Sequence, residues 1–367
     1  RCANPTSFAD PQCGPQHVVQ NHVSMEIWNF HDFDMVNEML ARANISEDAP
    51  ENLGRIGYPG TEGIYVNERS QQLAWETEGV MLEYYKSYDQ SWYNASKYFS
   101  SWDEIPASAL SMCNETPQAA SAGGMNSVAT LGDLEGVLYD ESGAVSKARC
   151  WNERWWFAPA CRDQPKLCVP YIDMRGWAYI QAMQKAVFHN LPLAVSTARD
   201  WDQFIHITTN YNTLMYFSEP ADASMIGVMR PKVLHFPKHN AEEWDRKIMV
   251  TAPTDYHLVK AAYARLYIHA PRVHDFVKRI QIHFSDIQGM SVTRSQNMSV
   301  AHEAIACEWV RRSRDKWQDW IPHATLCTVG MGLANADGRY AFNRSHAASC
   351  RWCDEGFYSA PFKDEVG

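Results

Sequence analysis

The sequence predicts an α/β protein with two lobes. Beyond residue 168, segments with the character of strands alternate with helical segments, which is typical of βα units and mainly parallel sheets. The chain has 367 residues, too many for one small core and enough for two lobes. Its composition, 46% hydrophobic and 21% charged, is that of a globular protein.

The first 145 residues are less regular. Residues 1–21 are rich in cysteine and proline and predict a stapled loop. The stretch ENLGRIGYPGTEGIYVNE (51–68) holds four glycines and a proline, a pattern that predicts two strands around a tight turn. The other expected elements are a strand at 22–28, helices at 32–43 and 69–90, a loop at 114–130 and a strand at 136–145.

Elements of both types follow. Helices are expected at 173–189, 199–208, 255–269, 271–281 and 301–321, and strands at 191–196, 212–218, 231–237 and 247–253. Residues 323–367 are rich in glycine, alanine and asparagine and contain three cysteines. They predict either a disulfide-stapled tail or the start of a small cysteine-rich module.

Charge and hydropathy exclude some functions. The formal net charge of −10 argues against a nucleic-acid partner. No run of 18 or more apolar residues occurs, so no membrane-spanning helix is predicted. The chain begins at Arg1 rather than a methionine, as expected of a protein whose N-terminal signal has been removed. A membrane anchor outside this span is an equal alternative.

The ten cysteines favour disulfides in an oxidising compartment over free buried thiols or a metal site. The spacing of metal ligands occurs only at Cys350-x-x-Cys353, and no second pair accompanies it, so no metal is predicted. The disulfide candidates are Cys2, Cys13, Cys150, Cys161, Cys350 and Cys353, and their pairing is left open.

Five Asn-x-Ser/Thr sequons support the same location. Together with the cysteines they predict a glycoprotein of the secretory pathway, secreted or at the surface of a eukaryotic cell. The candidate glycosylation sites are Asn44, Asn94, Asn114, Asn297 and Asn343.

The stretch 141–220 is the most unusual part of the chain. RCWNERWWFAPACRD places Trp151, Trp155 and Trp156 between two cysteines, and an acidic, turn-rich run precedes it. This density of aromatic rings predicts one wall of a ligand cleft.

Four stretches, in this order, resemble the glycine betaine/choline class of substrate-binding proteins of ABC importers. They are MEIWNFHDFD with LGRIGYPGTEGIYVNE, LYDESGAVSKARCWNERWWFAPAC, NTLMYFSEPA with PKVLHFP, and VHDFVKRIQIHFSDIQGM with VAHEAIACEWVRRSRDKWQDWIP. The resemblance implies a two-lobed, type II periplasmic-binding-protein-like fold with a hinge and an interlobe cleft. Lobe 1 would comprise 22–70 and 245–322, lobe 2 would comprise 71–244, and the cysteine-containing tail would follow at 323–367.

In this class the cleft holds a quaternary ammonium in an aromatic box by cation–π attraction. The resemblance carries the ligand-binding role to Trp28, His31, Trp155 or Trp156, Tyr216 and Phe217. Two departures accompany it. Ser218-Glu219-Pro220 stands where the class has a tryptophan, and only about twenty residues precede the first matching strand.

No catalytic pattern accompanies these stretches. The sequence lacks a Gly-x-Ser-x-Gly elbow, a His-Glu-x-x-His motif and a phosphate-binding glycine loop, so neither an enzyme nor a cofactor is predicted. The expected function is an extracellular solute-binding domain for glycine betaine or a related osmolyte. It would act in transport or sensing, with a membrane transporter or the rest of a larger surface protein as partner. The alternative is a structural or adhesive surface domain that keeps the fold without a ligand.

Overall fold

A computed structural model of the chain describes residues 23–27, 38, 40–42, 44, 50–91, 93–174, 178–220, 230–322, 330–335, 337–340 and 349–354. These residues fall into two compact units. Unit 1 draws them from Arg1–Pro59, Tyr256–Phe284 and Ala306–Gly367, and unit 2 from Gly60–Asp255 and Ser285–Ile305. None of the helices in this described part is long and apolar enough to cross a membrane.

The strands are β1 (Val23–Ile27), β2 (Glu51–Val66), β3 (Val137–Tyr139), β4 (Val145–Ala148), β5 (Trp156–Phe157), β6 (Val169–Met174), β7 (Leu193–Ala198), β8 (Leu214–Glu219), β9 (Lys232–Val233), β10 (Tyr256–Ala262), β11 (Met331–Ala334) and β12 (Ser349–Trp352). The α-helices are α1 (Glu68–Glu78), α2 (Ala122–Thr130), α3 (Pro159–Arg162), α4 (Tyr179–Phe188), α5 (Trp201–Asn210), α6 (Ala241–Asp245), α7 (Leu266–His269), α8 (Pro271–Arg279), α9 (Phe284–Gln296), α10 (His302–Arg312) and α11 (Arg314–Trp317). Short 3₁₀ helices cover Tyr85–Tyr88, Ala95–Tyr98, Trp102–Glu104, Ala107–Ala109, Cys113–Glu115, Pro165–Leu167 and Gln318–Trp320.

Unit 2 is built on a mixed sheet with the strand order β9-β2-β8-β6-β7-β5. Strand β6 runs parallel to both β7 and β8. The β2–β8, β2–β9 and β5–β7 pairs are antiparallel. The α/β class predicted from the sequence is confirmed. The expectation of mainly parallel pairing is wrong, because the parallel strands β8, β6 and β7 are flanked on both sides by antiparallel pairs.

The two faces of this sheet bury different cores, because successive residues of a strand point to opposite faces. On β6, Tyr171 belongs to one cluster and Ile172 to the other. Helices α2 and α4 contribute Met125 and Met183 to the first cluster, and α5 contributes Phe204 to the second. Because both faces of the sheet are covered by packed side chains, the strands carry apolar residues at consecutive positions.

Helix α1 shows clear local signals at both ends. The side chain of Asn67 accepts a hydrogen bond from the backbone N–H of Ser70 at 2.7 Å, which caps the N-terminus. Gly79 ends the helix in the left-handed conformation at φ 67°. The helix therefore stops twelve residues before the end expected from the pattern at 69–90, and a 3₁₀ turn follows.

In unit 1, β1 pairs antiparallel with β10, and Val23 stands opposite Ala262. Leu266 of α7 and Val277 of α8 pack in one cluster with Leu53. Lys260 is fully buried, and its Nζ donates to the carbonyls of Lys278 and Ile280 at the C-terminal end of α8. A cation there satisfies carbonyls that the helix leaves unpaired.

Several element predictions are wrong. The glycine-rich stretch 51–68 is one long strand, β2, rather than two strands around a turn. At Gly57 (φ 119°) a Cβ would lie 2.6 Å from the carbonyl oxygen of Ile282, so the glycine permits close packing of two backbones. The expected loop at 114–130 contains α2, and the expected helix at 255–269 begins with β10 instead. The expected strand at 247–253 is not formed, and that at 231–237 shrinks to the two residues of β9.

The cysteines pair locally within unit 2. Disulfides join Cys113 to Cys150 and Cys161 to Cys168. Cys350 is also disulfide-bonded. The structure departs from the sequence prediction at Cys353, which carries a free thiol although the candidates included it. Cys2 and Cys13 lie outside the described residues.

Four of the five sequon asparagines, Asn44, Asn94, Asn114 and Asn297, are exposed. The fifth, Asn343, lies outside the described residues. Exposure is a precondition for glycosylation, and the modification itself stays a prediction.

Candidate ligand-binding site

Unit 2 contains a cavity of about 330 Å³. Its wall combines the 61–65 part of β2, one face of α4, the end of β8 and the segments 233–236 and 252–255. The lining residues are Thr61, Glu62, Gly63, Ile64, Tyr65, Tyr171, Ala178, Gln181, Ala182, Lys185, Glu219, Val233, Leu234, His235, Phe236, Ala252, Pro253, Thr254 and Asp255.

Helix α4 supplies a cation to this wall. Ala178, Ala182 and Lys185 are spaced by four and then three residues, so they share one helix face. The alanine side chains are small, and Lys185 is the long side chain on this face. Lys185 is buried, with an exposed fraction of 2%.

The Nζ of Lys185 donates to the backbone carbonyl of Met249 at 2.8 Å. It also lies 5.4 Å from the ring centroid of Phe236 and 5.4 Å from that of Trp244. Burial lowers the pKa of Lys185 to about 7, and the negative charge of Glu62 partly opposes this shift. Near neutral pH, the charged and the neutral form of the amine are therefore both populated.

Three acidic residues, Glu62, Glu219 and Asp255, border the same cavity. The antiparallel register of β2 and β8 places Glu62 opposite Ser218. In this register the hydroxyl of Tyr216 donates a hydrogen bond to Oε2 of Glu62 at 2.5 Å. Burial raises the pKa of Glu219, and the charge of Lys232 acts in the opposite direction. The wall thus holds more acidic than basic groups.

A fourth carboxyl, which is fully buried, lies next to the wall. Asp173 of β6 is fully buried, and its Oδ2 accepts hydrogen bonds from the Tyr171 hydroxyl and the backbone N–H of Ala178, each at 3.1 Å. Among the described residues its Oδ1 has no hydrogen-bond partner. Burial raises the pKa of Asp173 to about 8 even though these two donors favour the charged form.

The structure does not place the predicted tryptophans in this cavity. Trp156 is fully buried in one core cluster, with its Nε1 donating to the carbonyl of Gly136 at 3.2 Å. Trp155 packs in the other cluster, 5.9 Å from the ring of Trp102. The two rings lie on opposite faces of the sheet, because neighbouring strand residues alternate. Both predicted cleft tryptophans are core residues of unit 2.

The remaining predicted residues divide. Tyr216 is not among the lining residues, but its hydroxyl donates to Glu62, which is one of them. Phe217 points to the other face and packs 5.0 Å from the ring of Tyr65. Trp28 and His31 lie outside the described residues.

Sequence reasoning missed Glu62, Lys185 and Glu219. Glu62 lies in the glycine-rich stretch 51–68, whose pattern predicts a tight turn, so the sequence gives no sign that Glu62 borders a cavity. Lys185 had a usable signal: it is a cation one turn beyond Ala182 within a helix that is otherwise largely apolar. Glu219 belongs to the segment Ser218-Glu219-Pro220, where the resemblance leads us to look for a tryptophan.

No family model matches the chain, and no curated protein matches it. Solved structures do. Lactococcal OpuAC complexed with glycine betaine is 10% identical, with coverage of 85% of each chain and a TM-score of 0.41. The glycine betaine/L-proline-binding protein ProX from Borrelia burgdorferi is 9% identical, covering 85% of this chain and 83% of that one, with a TM-score of 0.40. An ABC-transporter choline-binding protein in complex with choline is 9% identical, covering 83% and 78%, with a TM-score of 0.40. These structures are of the class that the four sequence stretches resemble.

Proposed function

We propose that this chain is an extracellular solute-binding domain whose cavity takes a small cationic or zwitterionic solute, with glycine betaine and related osmolytes as the first candidates. The observation that carries the proposal is the cavity wall of unit 2. Three acidic residues and one buried lysine border about 330 Å³ of space. Acidic groups in a partly buried wall attract a cation more strongly than they would in water, and a lysine suits a carboxylate.

The cysteines support an extracellular location. The Cys113–Cys150 and Cys161–Cys168 disulfides are stable in an oxidising compartment and rare in the cytosol. We propose glycosylation at the exposed sequons and passage through the secretory pathway. In this setting the domain would deliver solute to a membrane transporter or report it as part of a larger surface protein.

A structural or adhesive domain without a ligand is the second candidate function. The observation that favours it is the burial of Trp155 and Trp156, which removes both from any aromatic box. Under this alternative the acidic wall of the cavity would bind no solute.

The test is isothermal titration calorimetry of the disulfide-intact protein with glycine betaine and choline, repeated on Glu62→Gln. Glutamine keeps an oxygen that can accept from Tyr216 but removes the charge. We expect the affinity to fall about tenfold or more, since the substitution removes the attraction between the Glu62 charge and the ligand's ammonium group, and a loss of about 1.4 kcal/mol already corresponds to a tenfold change.

Glu104→Gln is the matched control, because this glutamate is exposed and is not among the residues that line the cavity. Its affinity should equal that of the parent protein. Absence of binding by any small cation or zwitterion to the folded protein would refute the proposal and favour the structural alternative.

A further inference from the structure

We propose that the ligand of this cavity is a zwitterion whose ammonium group keeps at least one N–H, as in an amino acid, and that Lys185 holds its carboxylate. This inference rests on the solute-binding function proposed above and narrows its ligand. An ammonium group with an N–H can donate a hydrogen bond, whereas a quaternary ammonium cannot. This is the property by which the wall would distinguish the two kinds of ligand.

The rings of the wall are already engaged. Tyr65 is 3% exposed and packs on Phe217, and Tyr171 is fully buried with its hydroxyl on Asp173. Phe236 stacks on Tyr85 at 5.6 Å with 19° between the planes, and Lys185 Nζ lies 5.4 Å from its centroid. A quaternary ammonium needs several open ring faces around it, because it has no hydrogen bond to donate. Among the described residues of this wall, the benzenoid rings do not offer them.

The acidic residues offer a different kind of site. Glu62, Glu219 and Asp255 approach the cavity from β2, β8 and the segment before β10. Carboxylate oxygens accept hydrogen bonds from N–H groups, and a charge-assisted N–H···O bond is about twice as strong as a neutral one. A primary, secondary or tertiary ammonium can form such bonds, whereas trimethylation removes every donor and keeps only the charge.

Lys185 supplies the cavity with a group that can be positively charged, in addition to the acidic residues. It lies on the α4 wall, and Glu62 is close enough for its charge to act on the lysine. Of the described residues that line the cavity, Lys185 is the one that bears a lysine or arginine side chain. A solute carrying both an ammonium and a carboxylate engages both kinds of group at once, and a plain cation such as choline engages only one.

A methylation series separates these properties. Glycine, sarcosine, N,N-dimethylglycine and glycine betaine share one carboxylate and lose one N–H at each step, down to none. We expect calorimetry at pH 7 to show at least tenfold tighter binding of N,N-dimethylglycine than of glycine betaine. Choline, which lacks both the N–H and the carboxylate, should bind at least tenfold more weakly than N,N-dimethylglycine.

Each other result has a defined meaning. Glycine betaine binding as tightly as N,N-dimethylglycine would overturn the N–H requirement and leave the solute-binding proposal standing. Choline binding as tightly as the zwitterions would overturn the role of the carboxylate and also leave that proposal standing. If no compound of the series, glycine betaine and choline included, binds to the folded protein, the solute-binding proposal fails and this inference fails with it.

The role of Lys185 has its own readout. At pH 8 the buried amine is mostly neutral, so a ligand carboxylate placed on it should draw a proton from the buffer. The binding enthalpy measured in buffers of different ionisation enthalpy should then report uptake approaching one proton. Other titratable groups of the surroundings are Glu62 and Tyr65 of β2, Tyr171 and Asp173 of β6, His189 directly after α4, Glu219 of β8, and His235 and Asp255 of the connecting segments.

Lys185→Arg tests whether Lys185 is the group that takes up that proton. Arginine is charged at every accessible pH, so this variant should bind without proton uptake. The matched control is Lys147→Arg, at an exposed lysine of β4 outside the cavity, which should keep the uptake of the parent. Uptake that persists in Lys185→Arg, or its absence in the parent protein, would refute the assignment of the carboxylate to Lys185.

Discussion

Asp173 and Lys185 are both buried in unit 2, and burial moves their pKa values toward each other from opposite ends of the scale. The pKa of Asp173 is raised to about 8, and that of Lys185 is lowered to about 7. Near neutral pH the buried side of the cavity thus carries less charge than its residue types suggest. Composition alone could not reveal this, because the shifts depend on burial that the sequence does not state.

Asp173→Asn should flatten the pH dependence of stability. The folded-state pKa of Asp173 lies above the unfolded value of about 3.9, so the folded protein binds the extra proton between about pH 4 and pH 8. The free energy of unfolding therefore falls as pH rises through that window. Asparagine has no proton to lose. We expect it to match the parent near pH 4 and to be more stable at pH 8, on the order of a few kcal/mol.

Urea unfolding at pH 4 and at pH 8 measures this difference, with exposed Asp163→Asn as the control that should change neither value. A variant that is equally destabilised at both pH values would show that Asp173 is ionised in the folded protein.

The candidate residues show what sequence reasoning captures at this scale. The region around 150–161 was correctly singled out as dense in aromatic rings, and those rings form cores on both faces of the sheet. Trp155 and Trp156 are buried in these cores and are not among the residues that line the unit 2 cavity, and a pattern of adjacent aromatics does not tell which of them faces a cavity. Trp28 and His31 stay predictions.

Among the elements, helix α1 is predicted in kind but not in extent, since it ends at Glu78 rather than at residue 90. The 114–130 stretch predicts a loop because alanine, serine and glycine dominate it. Ser121 caps α2 all the same, and Met125 and Val128 bury its apolar side. Strand β10 was taken for part of a helix, since YHLVKAA carries no alternation once both of its sides are buried.

Asn67→Ala should destabilise unit 2 through helix α1. The substitution removes the cap on Ser70 N–H and the hydrogen bond from Asn67 Nδ2 to the carbonyl of Thr213. We expect a loss of about 1–2 kcal/mol in the free energy of unfolding by denaturant. Asn67→Ser keeps a capping oxygen and should lose less. Equal losses in the two variants would show that the cap does not determine the effect.

At the scale of the whole molecule, the α/β class could be predicted from the alternation of strand-like and helical segments beyond residue 168. The mixed pairing of the unit 2 sheet could not, because strand direction depends on which strands become neighbours. Strands β6, β7 and β8 follow the parallel βα rule. Strand β2 joins them antiparallel from a part of the chain that precedes them by a hundred residues or so.

The two disulfides of unit 2 should differ in what they contribute to stability. Cys113–Cys150 closes a separation of 37 residues, and Cys161–Cys168 closes one of 7. In the chain-entropy account, the longer loop restricts the unfolded chain more, by about 1–2 kcal/mol. Replacing both cysteines of each pair by serine and comparing unfolding free energies tests this. A larger loss for the shorter loop would contradict it.

The pairing of β1 with β10 has a consequence for biosynthesis. On the ribosome, Val23–Ile27 emerges early, while its partner Tyr256–Ala262 appears only after nearly all of unit 2 has been translated. During that interval the backbone N–H and C=O groups of Val23–Ile27 that pair with Tyr256–Ala262 in the folded protein have no partner strand. A nascent chain in this condition is exposed to aggregation with its neighbours, and the time for which it needs protection is set by the translation of 60–255. Slowing synthesis within that span should therefore lower the yield of correctly assembled protein more than slowing it after residue 262.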